Sequence, residues 1–461
     1  MIHGRSGLAL GGIGLSTVFF LPIAAAGQVD APLLMWAPRH TVELLCAWLA
    51  VSAAAAAVLT WLRNDPHPRR EAALLAVLAA PSALSLLAVT GRSAPETAGG
   101  LRSILVVTLV VGGLVTTLAA LLCWMKPAWL VKMFRWAFMF GVLLIGPAAM
   151  SISDLLPGTT AYPGEATLDA VAPGRCGDVF VLLFDELAHD AVFSGDRSTL
   201  GSLASLAASA RVYHRASSAT LSTPTSIANY LSAPVDRSGS RDAIAAGPIG
   251  LARRLGLHTD VSGWHYPYCE ALGGYAEKCR SFSMYNAATR YDHFAPWAPI
   301  ETVLNIWPYQ LPTGFVKRPA AVHLHRAELE ALIREATRPP EARPIFRWVH
   351  FNVPHVPWLR DTGPFAYRAF LNTRDRYFKQ LAEVDRTLGA VVASLKARGD
   401  IDRTTIVVTS DHGSRQGHAG ADHRHVPLVV YSPGGTRQDL YEPVQVSDVL
   451  KSVVAEACRP A

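Results

Sequence analysis

Apolar residues are bunched at one end of the chain. Five runs, Leu8–Ala26, Val42–Leu62, Ala72–Val89, Ile104–Trp124 and Trp136–Ile152, are long and nearly free of charge. A helix needs roughly 20 apolar residues to cross the hydrocarbon core of a bilayer, and inside lipid it satisfies its own backbone polar groups. The pattern predicts a transmembrane domain of five helices over residues 1–152. The first run also has the layout of a cleaved signal peptide, with Arg5, an apolar stretch and "PIAAAG". "SDLLPGTTAYPGEATLDAVAPGRCGD" is rich in Pro, Gly and small residues and reads as a linker, over residues 153–177. From residue 178 the apolar runs shorten to strand length. Asp178–Phe184, Ile345–Phe351, Thr404–Thr409 and Val426–Tyr431 are expected strands, and "RDRYFKQLAEVDRTLGAVVASLKARG" is an expected amphipathic helix. Strands alternating with long helices predict an α/β domain over residues 178–461, with a mostly parallel sheet flanked by helices.

Basic residues orient the membrane part. Arg63, Arg69 and Arg70 lie after the second run, and Lys126, Lys132 and Arg135 after the fourth, whereas the alternate loops carry only Arg39, or Arg92 and Arg102. Loops rich in Lys and Arg stay in the cytoplasm, so residues beyond Ile152 are expected outside it. A net charge of +6 on 461 residues is modest. It points to lipid head groups as the anionic neighbours, not to nucleic acid. Of the six cysteines, Cys46 and Cys123 sit in apolar runs as filler. Cys269 and Cys279, in "YCEALGGYAEKC", are placed for a local disulfide outside the cytoplasm. Cys176 and Cys458 can pair only if the C-terminus returns to the first strand.

Polar chemistry collects where strands end. "DVFVLLFDELAHD" finishes its apolar run with Asp185 and Glu186, and "TTIVVTSDHG" with Asp411, His412 and Gly413. Open α/β sheets bind ligands at such carboxyl ends. Acids there also suit the start of a following helix. A carboxylate beside an imidazole is a usual donor pair for zinc or manganese. His350 and His355 in "RWVHFNVPHVPW", and His418, His423 and His425 before the last expected strand, add imidazoles. "TLSTPTSIANYLSA", residues 220–233, crowds hydroxyls ahead of a helical second half. That fits a helix cap or a nucleophile. The aromatic-rich stretch over residues 285–315 fits either a membrane interface or a loop packed over the sheet.

Five blocks together resemble the sulfatase-type members of the alkaline phosphatase superfamily, above all membrane-anchored phosphoethanolamine transferases and lipoteichoic acid synthases. They are "LLFDELAHD" with Asp185 and Asp190, "STPTSIANYLS" with Thr223, Ser226 and Ser232, "HFNVPH" with His350 and His355, "SDHG" with Asp411 and His412, and "HVP" with His425. The resemblance implies Thr223 as nucleophile and Asp185, Thr223, Asp411 and His412 as ligands of a divalent metal, zinc or manganese. It implies His355 and His425 as holders of the phosphoryl oxygens and donors of a proton to the leaving group. Glu186, Ser222 and His350 are additional candidates. Sulfatases modify a Cys or Ser followed by x-Pro-x-Arg. Ser222 and Pro224 fit that frame, but Ser226 stands where the Arg belongs, which favours unmodified Thr223. Asp185 replaces the transferases' usual Glu, and Ala228 a usual Pro.

The expected reaction is transfer of phosphoethanolamine or phosphoglycerol from a membrane lipid donor to an envelope glycan or lipid acceptor, through a phospho-threonine. The setting implied is a multi-pass protein of the bacterial inner membrane with a periplasmic catalytic domain. Two other readings fit the same residues: a hydrolase of phosphoric or sulfuric esters, and a non-catalytic membrane protein that keeps the fold.

Overall fold

The computed structural model describes residues 12–23, 37–63, 176–193, 200–232, 241–284, 286–291, 293–310, 319–360, 373–414 and 422–458, with scattered positions elsewhere. The chain forms two compact units. One comprises Met1–Thr160 with Met284–Ala321, the other Ala161–Ser283 with Val322–Ala461.

The second unit is built on an eight-stranded sheet. Its strands are β1 (Asp178–Phe184), β2 (Ala210–Tyr213), β4 (His258–Trp264), β5 (Lys278–Phe282), β6 (Ile345–Phe351), β7 (Thr404–Thr409), β8 (Leu428–Tyr431) and β9 (Gln438–Leu440), in the order β5-β4-β6-β1-β7-β8-β2-β9. β3 (Ala216–Ser217) and β10 (Val444–Gln445) form a separate pair. Neighbours run parallel except at β8, which is antiparallel to both β7 and β2. The sheet is therefore mostly parallel, as expected. Three of the expected strands and the helix Thr373–Ala397 fall where the apolar pattern puts them. β8 starts at Leu428 instead of Val426, because Pro427 has no N–H to give a ladder.

Central strands β1, β6 and β7 are buried along their whole length. A strand covered on both faces needs a continuous apolar run, and "VFVLLF" is one. Register then sets the chemistry. Leu183 of β1 lies opposite His350 of β6 and Thr409 of β7. The three parallel strands thus end level, and the residues that follow them emerge at one edge.

Both disulfides form. Cys269–Cys279 ties the helix Tyr268–Leu272 to β5, and Cys176–Cys458 joins the entry to β1 to the end of the helix Val446–Ala457. The amide of Gly177 also donates to the Ala457 carbonyl at 2.8 Å. The C-terminus does return to the first strand.

In the first unit, among the described residues, one helix is long and apolar enough to cross a membrane, Pro38–Leu62, and Gly12–Ile23 is a shorter apolar helix. Val42, Leu45, Leu49 and Trp61 are exposed on the longer one. The expected runs over 72–89, 104–124 and 136–152 and the linker over 153–175 lie almost wholly outside the described residues. The aromatic-rich stretch belongs to this unit. Its turn over Asn286–Ala295 grips the start of the Pro38 helix. Arg39 Nη2 donates to the Ala288 carbonyl at 3.3 Å, Asn286 Nδ2 meets His40 Nδ1 at 3.1 Å, and the Ala295 amide donates to Glu43 Oε1 at 2.9 Å.

Candidate active site

Asp185 follows β1 directly, Asp411 and His412 follow β7 after Ser410, and all three are fully buried. Their ligand atoms lie within 4.8 Å of one another. The chain turns sharply after Asp185. Glu186 holds φ at 65°, a conformation that costs a side-chain-bearing residue roughly 1–2 kcal/mol. Its surroundings fix it there: the Glu186 amide donates to Asp411 Oδ1 at 3.1 Å, and its carbonyl accepts from Tyr377 Oη at 2.8 Å. Ser410 stitches the two strand ends together. Its Oγ donates to the Phe184 carbonyl at 2.6 Å and accepts from the Leu187 amide at 2.9 Å.

Thr223 opens the helix Thr223–Leu231. Ser222 precedes it in extended conformation and Pro224 occupies the first turn, which suits a residue with no N–H to leave unpaired. Ile227, Tyr230 and Leu231 bury one face of this helix, and Tyr230 Oη donates to the Ser410 carbonyl at 3.0 Å. That seats the helix against the strand ends. Thr223 Oγ1 then donates to Asp411 Oδ2 at 2.6 Å and lies 3.4 Å from His412 Nε2. Ser222 is exposed, and its side chain makes no cap hydrogen bond. Geometry separates the two adjacent hydroxyls that sequence leaves side by side. Ser226 Oγ binds back to the Thr220 carbonyl at 3.1 Å, and Ser232 closes the helix with Oγ on the Ala228 carbonyl at 2.8 Å.

The donor set fits a divalent cation. Two buried carboxylates this close repel unless positive charge joins them. His412 Nδ1 donates to the Gly413 carbonyl at 2.9 Å, which leaves the Nε2 lone pair turned toward Thr223 and Asp411. Metal-bound imidazoles are held in this way. Burial alone would raise the Asp411 carboxyl. The neighbouring His412 and His350, the Thr223 hydroxyl and the Glu186 amide outweigh it and hold Asp411 below the ordinary carboxylate range. An anion with so little proton affinity orients the Thr223 hydroxyl better than it deprotonates it. Gly413 lets the next segment approach. Its amide reaches the His423 carbonyl at 2.6 Å, and a Cβ there would meet that oxygen at 3.0 Å.

The remaining histidines divide. His350 is buried on β6, held by Tyr268 Oη at 2.9 Å from its Nδ1, and burial, ahead of its other surroundings, lowers it to about 4. Tyr268 fits because Gly263, opposite His350 in the sheet, has no side chain: a Cβ there would come within 2.1 Å of the tyrosine ring. His355 donates from Nδ1 to the Val356 carbonyl at 2.6 Å and leaves Nε2 for another partner. His425 is placed differently. Its Nε2 meets the His214 carbonyl at 2.9 Å, its Nδ1 lies 3.7 Å from Asp190, and its ring stacks on His189 at 3.8 Å. His418 lies outside the described residues. Ser410, Tyr230 and Tyr377, which position the site, carry no sequence signal beyond an unremarkable place in a strand end or helix.

Residues 179–456 match the family model described as Sulfatase. Arylsulfatase K of Danio rerio is 30% identical over 127 residues, 23% of this chain and 24% of that protein. Arylsulfatase K of Bos taurus is 32% identical over 104 residues, 20% of this chain and 18% of that one. The chain thus spans about a quarter or less of these relatives' length. Among solved structures, the phosphonate monoester hydrolase of Agrobacterium radiobacter aligns at 18% identity over 61% of this chain and 73% of that one, with a TM-score of 0.40. The extent of the family match, with acid-tipped parallel strands meeting a buried threonine at one sheet edge, makes this chain a member of the sulfatase family.

Proposed function

We propose that the chain is a membrane-tethered enzyme that moves a phospho-head group, phosphoethanolamine or phosphoglycerol, from a lipid to an envelope glycan or lipid, with Thr223 as nucleophile. One observation carries this reading: Thr223 Oγ1 is buried and aligned at 2.6 Å on Asp411 Oδ2, beside Asp185 and His412. A divalent ion such as zinc or manganese, held by Asp185, Asp411, His412 and Thr223, would supply the charge that lowers the hydroxyl's pKa and offsets the phosphoryl oxygens. Asp411 orients Oγ1, and the start of the helix adds positive potential. Oγ1, ionised with its proton given up to solvent, attacks phosphorus, the bond to the lipid oxygen breaks, and His355 Nε2 gives that oxygen a proton. An acceptor hydroxyl then attacks the phospho-threonine, returns a proton to His355 and frees Thr223. Because the ring of His425 is engaged with His214, Asp190 and His189, the proton transfers go to His355.

The membrane part of the proposal rests on the five apolar runs and on the Pro38–Leu62 helix. Tethering raises the effective concentration of bilayer substrates. The turn over Asn286–Ala295 holds the Pro38 end of that helix and is an excursion from the α/β domain's own sequence. In this reading both share the outer side of the bilayer, as the basic loops imply.

A second reading, ester hydrolysis at the same site with water as acceptor, is favoured by the similarity to arylsulfatase K of Danio rerio and Bos taurus. The full chain in vesicles holding a head-group-labelled lipid distinguishes these readings. Transfer predicts a Thr223 peptide heavier by the phospho-head group and label on the acceptor. Thr223→Ala should lower turnover roughly a thousandfold. Release of free phosphate ester alone assigns hydrolysis, and full activity in Thr223→Ala removes the site.

A further inference from the structure

We propose a second divalent-metal site, built from His189, Asp190 and His425 and distinct in its ligands from the Asp185–Asp411–His412 group. One ligand atom from each of the three lies within 4.8 Å of the others. His189 Nδ1 is 3.1 Å from Asp190 Oδ1, and His425 Nδ1 is 3.7 Å from the same oxygen. Ligand bonds of about 2.0–2.1 Å around tetrahedral zinc put neighbouring donors about 3.3 Å apart. Two edges of the required figure are already present.

Outer contacts prepare the donors. His425 Nε2 donates to the His214 carbonyl at 2.9 Å, so its Nδ1 carries the lone pair. A metal-bound imidazole is oriented in this way by its second nitrogen. The His425 ring also lies flat against His189, centroids 3.8 Å apart, so the His189 ring turns out of the stack for both Nδ1 lone pairs to meet one ion. His189 is mostly enclosed, and burial, against the pull of Asp190, lowers its proton affinity. Among the described residues, nothing hydrogen-bonds to its Nε2. The ring proton can move there when Nδ1 turns to a cation. Asp190 is half exposed, which gives an ion a route in and leaves coordination positions open to solvent. Two imidazoles and a carboxylate select a borderline cation of the zinc class over calcium. The ion would clip the helix His189–Phe193 to the lead-in of β8, which otherwise meet through the His189 amide and the His425 carbonyl at 3.3 Å.

The test titrates Zn2+ alone into the metal-stripped full chain. Two equivalents are expected for the wild type and one for Asp190→Asn or for His189→Ala with His425→Ala. Asp411→Ala should lose the other equivalent and keep this one, so failure of either site is read separately. Asp190→Asn changes a half-exposed side chain without altering its volume, and an unchanged melting curve of its metal-free form guards against misfolding. Cobalt gives a second reading: a visible d–d band in Asp411→Ala that disappears when His189 is also replaced. Equal zinc stoichiometry in the wild type and Asp190→Asn, with no cobalt band in Asp411→Ala, overturns the proposal.

Discussion

His325 is enclosed beside Trp264, its ring 5.5 Å from the indole and its Nδ1 facing Asn352 Nδ2 at 3.2 Å. Burial, with His355 nearby, pushes it down to about 3, and burial brings His350 to about 4. Both fold as neutral imidazoles, while an unfolded chain protonates near 6.5. As pH falls below that value the unfolded state takes up protons first, so stability is complete above about 6.5 and declines toward 4. Each histidine contributes at most about 1.4 kcal/mol per pH unit. Melting temperatures from pH 7.5 to 5 should drop, and His325→Gln should flatten that slope while lowering the starting value. At this scale sequence went far. Asp411 and His412 announce themselves as an acid and an imidazole at a strand exit, and Thr223 stands out once its neighbours do. Between Ser222 and Thr223 the choice rested on the missing Arg at position 226, since helix phase, which turns one hydroxyl inward and its neighbour out, leaves no mark in the sequence. The embrace of His425 by the His189 ring and the His214 carbonyl was hidden too, since these lie 236 and 211 positions from it in the chain.

Strand and helix ends hold the site by hydrogen bonds that no periodicity reveals. Tyr377, on the long helix Thr373–Ala397, bridges the Glu186 carbonyl at 2.8 Å and the Ala188 amide at 2.9 Å. Tyr377→Phe leaves the buried Glu186 carbonyl and the partly buried Ala188 amide without that hydroxyl. It should cost about 1–3 kcal/mol in denaturant unfolding, and because Glu186 sits at positive φ, it should also weaken metal retention by the Asp185 turn. Unfolding with no change in stability would show that the turn is held by other contacts. The buried strands β1, β6 and β7 were readable because a strand covered on both faces must be apolar throughout. β2, β5 and β9 were not, being short or partly polar, and an antiparallel β8 within a parallel sheet leaves no trace in local pattern.

For the molecule as a whole, the membrane reading stays with the apolar runs, and the domain's unity shows in its bridges. Cys176–Cys458 spans a sequence separation of 282. On the chain-entropy model a loop that long is worth about 5 kcal/mol. Cys176→Ser with Cys458→Ser should lower unfolding stability by up to that amount, more than loss of the 10-residue separation at Cys269–Cys279. Chain order alone could not show this pairing, because it depends on the last helix coming home to the first strand. The same bond has a practical result at the bench. A protease that nicks this domain once, anywhere between its two fastened cysteines, releases nothing: the pieces co-migrate at intact mass on a gel without reductant and separate only when thiol is added.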